Sequence, residues 1–503
     1  MIASLNTMCV RGIQGYNVSV ECYITNGLPG FEIVGLPDTA VKEARERVRA
    51  AAKCSGIRFP NSRITVNLAP ADMRKSGTHF DLPILLCILC ACKVIKYPGS
   101  NTAFVGEVGL DGSIRPVSGV LSMAVAAKLA GIERIFVPAE NAAEATLARG
   151  PAIYPVNTVK ELIDYLNEVG PEIKEEPICV PDRSEVSYLD FKDVMGQPIA
   201  KRALEIAAAG GHNVLFIGPP GSGKSMLAKR IPSILPDMTW QEALEVTQVY
   251  SVMGQTTADS PMVMRRPFRA PHHTISNAGL IGGGSIPRPG EISLAHKGVL
   301  FLDELPEFKR DTLDLMRQPI EDARVSIARV SGTLSYPSEF MLVCAMNPCK
   351  CGWYGDKSRR CTCSEASVAA YRSKISGPLL DRIDIILQLQ SVDYELLRDR
   401  KEEESSEKIR ERVNFARKAQ IRRFHESSGL CNARMNSTQL RYHCVIDDAA
   451  HSLMKAAFES YGLTARSYDR ILKVARTIAD LEGCENIQVE HIAEAIQYRR
   501  INL

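Results

Sequence analysis

The stretch GPPGSGKS, Gly218 to Ser225, lies between an apolar run, NVLFI (Asn213 to Ile217), and a helix-compatible one, SMLAKRI. It matches G-x-x-x-x-G-K-[ST], a loop between strand and helix that cradles phosphates. Glycine makes up about 7% of an average chain, so a match arises by chance in roughly two chains of this length per hundred. The strand before it and the helix after it lower that further. The residue types follow from the chemistry. Gly218, Gly221 and Gly223 let backbone N–H groups close around phosphate oxygens, Pro219, Pro220 and Ser222 complete the loop, and the helix N-terminus favours negative charge. Lys224 neutralises the outer phosphates and Ser225 is placed to ligate Mg²⁺.

Three further segments extend this site. GVLFLDEL, Gly298 to Leu305, reads as a buried parallel strand next to the phosphate loop. It delivers Asp303 to the magnesium shell and Glu304 to orient or deprotonate an attacking water. FMLVCAMN, Phe340 to Asn347, ends in Asn347, a side chain able to hold that water. In GPLLDRIDI, Gly377 to Ile385, Arg382 stands among apolar neighbours. Its spacing leaves two readings open: an ion-pair partner of Asp381 or Asp384, or a group reaching the γ-phosphate on another subunit.

The 503 residues suggest about three domains at ~150 residues each. With 45% hydrophobic and 24% charged residues the chain is neither disordered nor a small disulfide scaffold. The 61 Lys and Arg against 58 Asp and Glu leave a net charge of +3, so any polyanion contact must be local. Fifteen cysteines, an odd number, and an N-terminus without a signal pattern predict a reducing, cytoplasmic setting. LPILLCILCAC, Leu82 to Cys92, is too short to span a membrane, and Cys87, Cys90 and Cys92 read as core filler.

Residues 1–170 alternate β-like runs with helices, and Asp111-Gly112 marks a hairpin. The Pro- and acid-rich 171–190 is a linker. Residues 191–392 alternate strand and helix as a parallel sheet covered by helices would, and 393–503 are charged and helical.

The phosphate loop, Asp-Glu strand, Asn strand, LLDRID and a helical segment with TARSYDRILKVAR together resemble an AAA+ ATPase; DFKDVMGQ, Asp190 to Gln197, is similar to the opening box of that class. RPFRAPHHTISNAGLIGGG (Arg266 to Gly284), EISLAHKGVLFLDELPEF and AMNPCKCG resemble, more narrowly, the YifB/ComM family of magnesium-chelatase-like ATPases over essentially the whole chain. The resemblance implies an α/β fold in three parts. These are a Lon-protease-like (ribosomal S5 domain 2-like) N-terminal domain, an AAA+ P-loop core with a parallel sheet, and a C-terminal helical lid. It further implies ATP with Mg²⁺, Asn347 as first sensor, Arg382 as an arginine finger acting in trans, and Arg466 in the lid as second sensor. A finger in trans requires a homo-oligomeric ring, for this family a hexamer. An insertion is expected within Trp240 to His296 and a hairpin within Arg324 to Ser338. The Lon-like segment, RPVSGVLSMAVAAKLAGIERIFVPAEN, carries no protease dyad: Lys75-Ser76-Gly77-Thr78-His79 stands where the nucleophile turn belongs, and Leu121 where the lysine does.

The same resemblance implies a DNA motor driving branch migration of recombination intermediates, in homologous recombination or natural transformation. The alternative is the ATPase motor of a magnesium chelatase, against which stands the long Lon-like domain. Two C-x-C pairs, Cys349 with Cys351 and Cys361 with Cys363, allow zinc or an iron–sulfur site, free thiols, or a regulatory disulfide. Basic clusters at Arg265, Arg266 and Arg269, at Lys357, Arg359 and Arg360, and at Arg422 and Arg423 could neutralise branched or single-stranded DNA phosphates or be solvated surface. His272 and His273, with no cysteine or carboxylate pairing nearby in sequence, read as structural hydrogen-bonding groups.

Overall fold

The computed structural model describes residues 1–179, 189–284, 287–329, 332–356, 359–391, 403–424 and 430–499. The boundary expected at 392/393, most of the second half of the linker, and Lys357 lie outside the described residues. Two compact units emerge. One comprises Met1–Arg183 with Ala243–Met264 and Ser326–Tyr336; the other comprises Ser184–Glu242, Arg265–Val325 and Pro337–Leu503.

The first unit is built on a mixed seven-stranded sheet, ordered Gly30–Val34, Arg63–Ala69, Gln14–Thr25, Ile2–Arg11, Thr102–Phe104, Arg134–Pro138 and Ala152–Val156. Alternation decides which face is buried: Val18, Val20, Cys22 and Ile24 point into the core from one strand. Against them lies the helix Asp81–Ala91, buried along nearly its whole length. Its Cys87 thiol donates to Val20 O at 3.1 Å, while Cys90 and Cys92 pack half-buried against the same core. No helix among the described residues is long and apolar enough to cross a membrane. The Asp111-Gly112 pair turns the hairpin Glu107–Val108 to Ile114–Arg115, with Gly112 at φ +85°. Buried Glu144 accepts from Leu121 N at 2.9 Å, from Thr256 Oγ1 at 2.7 Å and from Ser251 Oγ, so part of the expected insertion is tied into this unit. Arg324–Arg329 and Gly332–Pro337 pair as the expected hairpin.

In the second unit five parallel strands run in the order Phe268–Arg269, Val299–Leu302, Met341–Met346, Val214–Ile217, Ile385–Gln388. The three central strands are apolar at every position and buried throughout, as strands covered on both faces must be. Gly298 opens one of them because a β-carbon there would lie 2.0 Å from Pro267 O. The helices Ser406–Arg423, Asp448–Tyr461, Ala465–Leu481 and Val489–Gln497 share one continuous apolar core with this sheet. The Asp-Glu strand is not beside the phosphate-loop strand: the Asn347 strand runs between them. Which strands pair is settled by long-range packing that a local apolar run does not encode.

Candidate active site

All three polar strand ends open at the same edge of the sheet. Ile217 pairs with Met346, and Leu302 with Cys344, so Gly218 and Asn347 leave the sheet at one level and Asp303 two residues short of it. Ligands bind outside the carboxyl ends of such strands. Gly221 and Gly223 hold φ +80° and +87°, conformations that bend the loop without β-carbon strain. A β-carbon at Gly221 would meet no atom within 4 Å, and the buried Ser222 hydroxyl has no hydrogen-bond partner among the described residues. The helix Lys224–Ile234 begins directly behind. An open glycine-lined cradle at a helix N-terminus suits a polyphosphate.

Lys224 Nζ donates to Gly218 O at 2.7 Å, Pro219 O at 2.8 Å and Asn347 Oδ1 at 3.2 Å. Burial lowers the Lys224 pKa from its ordinary value, with Asp303 opposing the shift. Ser225 Oγ donates to Asp303 Oδ2 at 2.6 Å, a hydroxyl and a carboxylate that together offer hard oxygen donors for Mg²⁺. Asp303 Oδ1 accepts from Glu304 N at 2.9 Å. Glu304 sits at φ +53°, an unusual backbone for a non-glycine residue, and its side chain is exposed.

His273 is what the sequence reading missed. Its Nδ1 lies 3.2 Å from Glu304 Oε2, and its ring meets Phe308 edge-on. A carboxylate partner thirty-one positions away is invisible to local pattern. His272, by contrast, bonds Thr274 Oγ1 at 2.9 Å, as a structural histidine should.

Arg382 and Arg466 have other partners. Arg382, with its side chain 12% exposed, pairs with Glu321 and donates to Pro378 O at 2.5 Å. Neither Asp381 nor Asp384 takes it: Asp381 pairs with Arg466 at 3.1 Å, and Asp384 with Arg470 at 2.5 Å. Arg466 is 65% exposed at its side chain, on the first turn of a helix capped by Thr464.

Asp384 ties the helix Ala465–Leu481 to the sheet unit through Arg470. Burial alone would raise its carboxyl, but Arg470, His212 and the Asn213 N–H at 3.1 Å outweigh burial and hold its pKa well below the ordinary range. An ordinary Asp titrates near pH ~3.9, so the stability Asp384 contributes is full above that value and drains away as pH falls through the lower folded value. Asp384→Ala, which removes the buried carboxylate from half-buried Arg470 and buried His212, is expected to cost up to about 3–5 kcal/mol. Chemical denaturation at neutral pH reads this; an unchanged midpoint contradicts the assignment.

Of the basic clusters, several arginines are committed within the fold. Arg266 pairs with Glu242 at 3.0 Å and bonds Pro236, Asp237 and Lys297 carbonyls; Arg269 grips Glu291 through two bonds; Arg423 pairs with Asp480. Arg359 and Arg360 are exposed, the former over the Trp353 ring, and Arg422 is exposed. The four cysteines converge: Cys349 Sγ lies 3.3 Å from Cys351 Sγ and 3.7 Å from Cys361 Sγ, with 3.5 Å between the latter two, and all four sulfurs lie within 4.8 Å of one another.

Comparison with known proteins agrees with this geometry. The family model "Magnesium chelatase, subunit ChlI" matches residues 190–397, "Subunit ChlI of Mg-chelatase" matches 20–141, and the C-terminal model of the same subunit matches 403–499. The chain is 41% identical over 503 residues to the YifB protein of Salmonella typhimurium, covering 100% of this chain and 97% of that one. It is 42% identical over 505 residues to the competence protein ComM of Haemophilus influenzae, covering 99% and 97%. A shorter similarity, 31% over 152 residues, joins 29% of the chain to 27% of Lon protease 2 of Bacillus subtilis. The chain therefore belongs to the YifB/ComM family of magnesium-chelatase-like AAA+ ATPases.

Proposed function

We propose that this protein is the subunit of a ring, a homohexamer, that hydrolyses ATP to drive branch migration of DNA recombination intermediates. The observation that carries the ATPase reading is the convergence of Lys224, Ser225, Asp303, Glu304 and Asn347 at one edge of a parallel sheet. Gly218 to Ser225 hold the triphosphate, with Lys224 exchanging its loop carbonyls for phosphate oxygens. Ser225 and Asp303 would hold Mg²⁺, which neutralises phosphate charge when bound. Glu304 takes the proton of the attacking water and Asn347 orients that water. Arg382 leaves Glu321 to meet the triphosphate of the neighbouring subunit, and Arg466 reads the same nucleotide from the lid. Four convergent thiolates support a bound zinc ion.

DNA as the substrate rests on full-length likeness to a protein named for competence. The exposed Arg359, Arg360 and Arg422 supply phosphate contacts without sequence reading. The second reading, a motor for magnesium chelation, is favoured by the family models, and because one of them matches residues 20–141 the N-terminal domain does not argue against it. A four-way DNA junction separates the two. The expected result is ATP-dependent strand separation, with DNA-stimulated hydrolysis that weakens as salt rises from about 50 to 200 mM. Hydrolysis indifferent to DNA but stimulated by a porphyrin-loaded partner would favour chelation.

A further inference from the structure

The cysteine turn touches the phosphate loop. Gly352, directly after the first C-x-C pair, has φ +87°, and a β-carbon there would fall 2.7 Å from Pro220 Cδ and 3.9 Å from Asn347 Cγ. The backbone of the turn is thus packed onto the loop with no room for a methyl group. Cys349 is fully buried, two residues beyond Asn347, whose Oδ1 accepts from Lys224 Nζ. The outer side of the turn is held by Arg372, which donates to Pro348 O at 3.3 Å and lies over the Tyr354 ring.

The sulfur spacings select the occupant. A disulfide brings two sulfurs to about 2.0 Å. A tetrahedral zinc ion with Zn–S near 2.3 Å sets its ligand sulfurs about 3.8 Å apart. The observed 3.3, 3.5 and 3.7 Å fall close to the edges of that tetrahedron and far from a covalent bond. An iron–sulfur cluster interposes its own atoms between thiolates, whereas these sulfurs are in mutual contact and leave space for one ion.

We propose that one zinc ion, held by Cys349, Cys351, Cys361 and Cys363, braces the phosphate loop and Asn347, so that ATP turnover depends on its occupancy. The proposal rests on the reading of Gly218 to Ser225 as the ATP site. The physical route is short. Two residues span at most about 7 Å, so a fixed Cys349 sulfur restricts Asn347 directly, and Gly352 transmits the restriction to Pro220. Releasing the ion frees both contacts at once, and a displacement near 1 Å at a catalytic site costs about 10²-fold in rate.

The test uses the full chain, purified without chelator, with zinc counted by atomic emission. One zinc per chain is expected. A zinc-selective chelator should lower kcat about 10²-fold with the far-ultraviolet circular dichroism unchanged, and added zinc should restore it. Gly352→Ala, which keeps all four thiols, should retain zinc yet lose hydrolysis. A purified protein with no bound metal overturns the site. Zinc that can be stripped with kcat unchanged, or a Gly352→Ala variant at the wild-type rate, overturns the bracing. Lys224→Ala reports separately: wild-type hydrolysis there would overturn the ATP-site reading, whatever the zinc measurements show.

Discussion

Glu304→Gln is expected to lower ATP turnover by about 10²–10⁴-fold, the range that a positioned general base supplies, while leaving nucleotide affinity within a few fold. The geometry separates the two quantities. In the proposed site, binding falls to the glycine cradle, Lys224 and the Ser225–Asp303 pair; Glu304 bonds Asp303 through its own backbone N–H, and glutamine keeps that group. Lys224→Ala should instead lose binding and turnover together, because the ammonium group is the half-buried cation held against the loop. Steady-state hydrolysis combined with titration of a fluorescent ATP analogue distinguishes the patterns. Glu304→Gln turning over at the wild-type rate would remove the residue from the chemistry. His273→Ala should change the rate far less, since it removes a neighbour 3.2 Å from the carboxylate and leaves the carboxylate itself in place.

Arg382→Ala carries the second large effect. An arginine finger is worth about 10³–10⁵ in kcat, so the assembled variant should be nearly inert. Nucleotide binding by the isolated subunit should persist, because Arg382 pairs with Glu321 rather than with the loop that cradles phosphate. The Glu321 end of that ion pair is 58% exposed, which limits what the charges contribute, but the Arg382 side chain is 12% exposed and its stem packs within the fold, so the melting temperature is measured beside turnover. Inactivity with an unchanged melting temperature therefore reports on chemistry. A fully active Arg382→Ala ring would return the arginine to the status of a local ion-pair partner.

How far the sequence could be read depends on how locally each feature is encoded. The phosphate loop, the Asp-Glu strand and the Asn347 strand were legible because each is a continuous apolar run ending in a polar group, and the chemistry demands those residue types in that order. The hairpin at Asp111-Gly112 was legible for another local reason: an Asp-Gly pair between two β-like runs suits a tight turn, and Gly112 takes φ +85°. Strand order was not, since the Asn347 strand lies between two strands that precede it in the chain. The partners of Arg382, Asp381 and Asp384 were equally hidden, because Glu321, Arg466 and Arg470 lie between sixty and eighty-six positions away. Basic residues misled in the opposite direction. Arg266 and Arg269 read in sequence as either DNA-facing or solvated, yet Glu242 and Glu291 claim them once the chain is folded. The cysteine pairs announced a cluster by spacing, but the close approach of Gly352 to Pro220, which sets that cluster against the phosphate loop, is not encoded locally.

Subunit mixing tests most directly whether neighbouring chains share each ATP. Lys224→Ala and Arg382→Ala are each expected to be inactive alone, one lacking the cradle's cation and the other the finger. In an equimolar mixture roughly one interface in four joins an intact cradle to an intact finger across a closed ring. If neighbouring chains share each ATP, hydrolysis reappears on mixing, to a corresponding fraction of the wild-type rate. A mixture as inactive as its two components, under conditions where the chains are seen to co-assemble, would contradict that sharing.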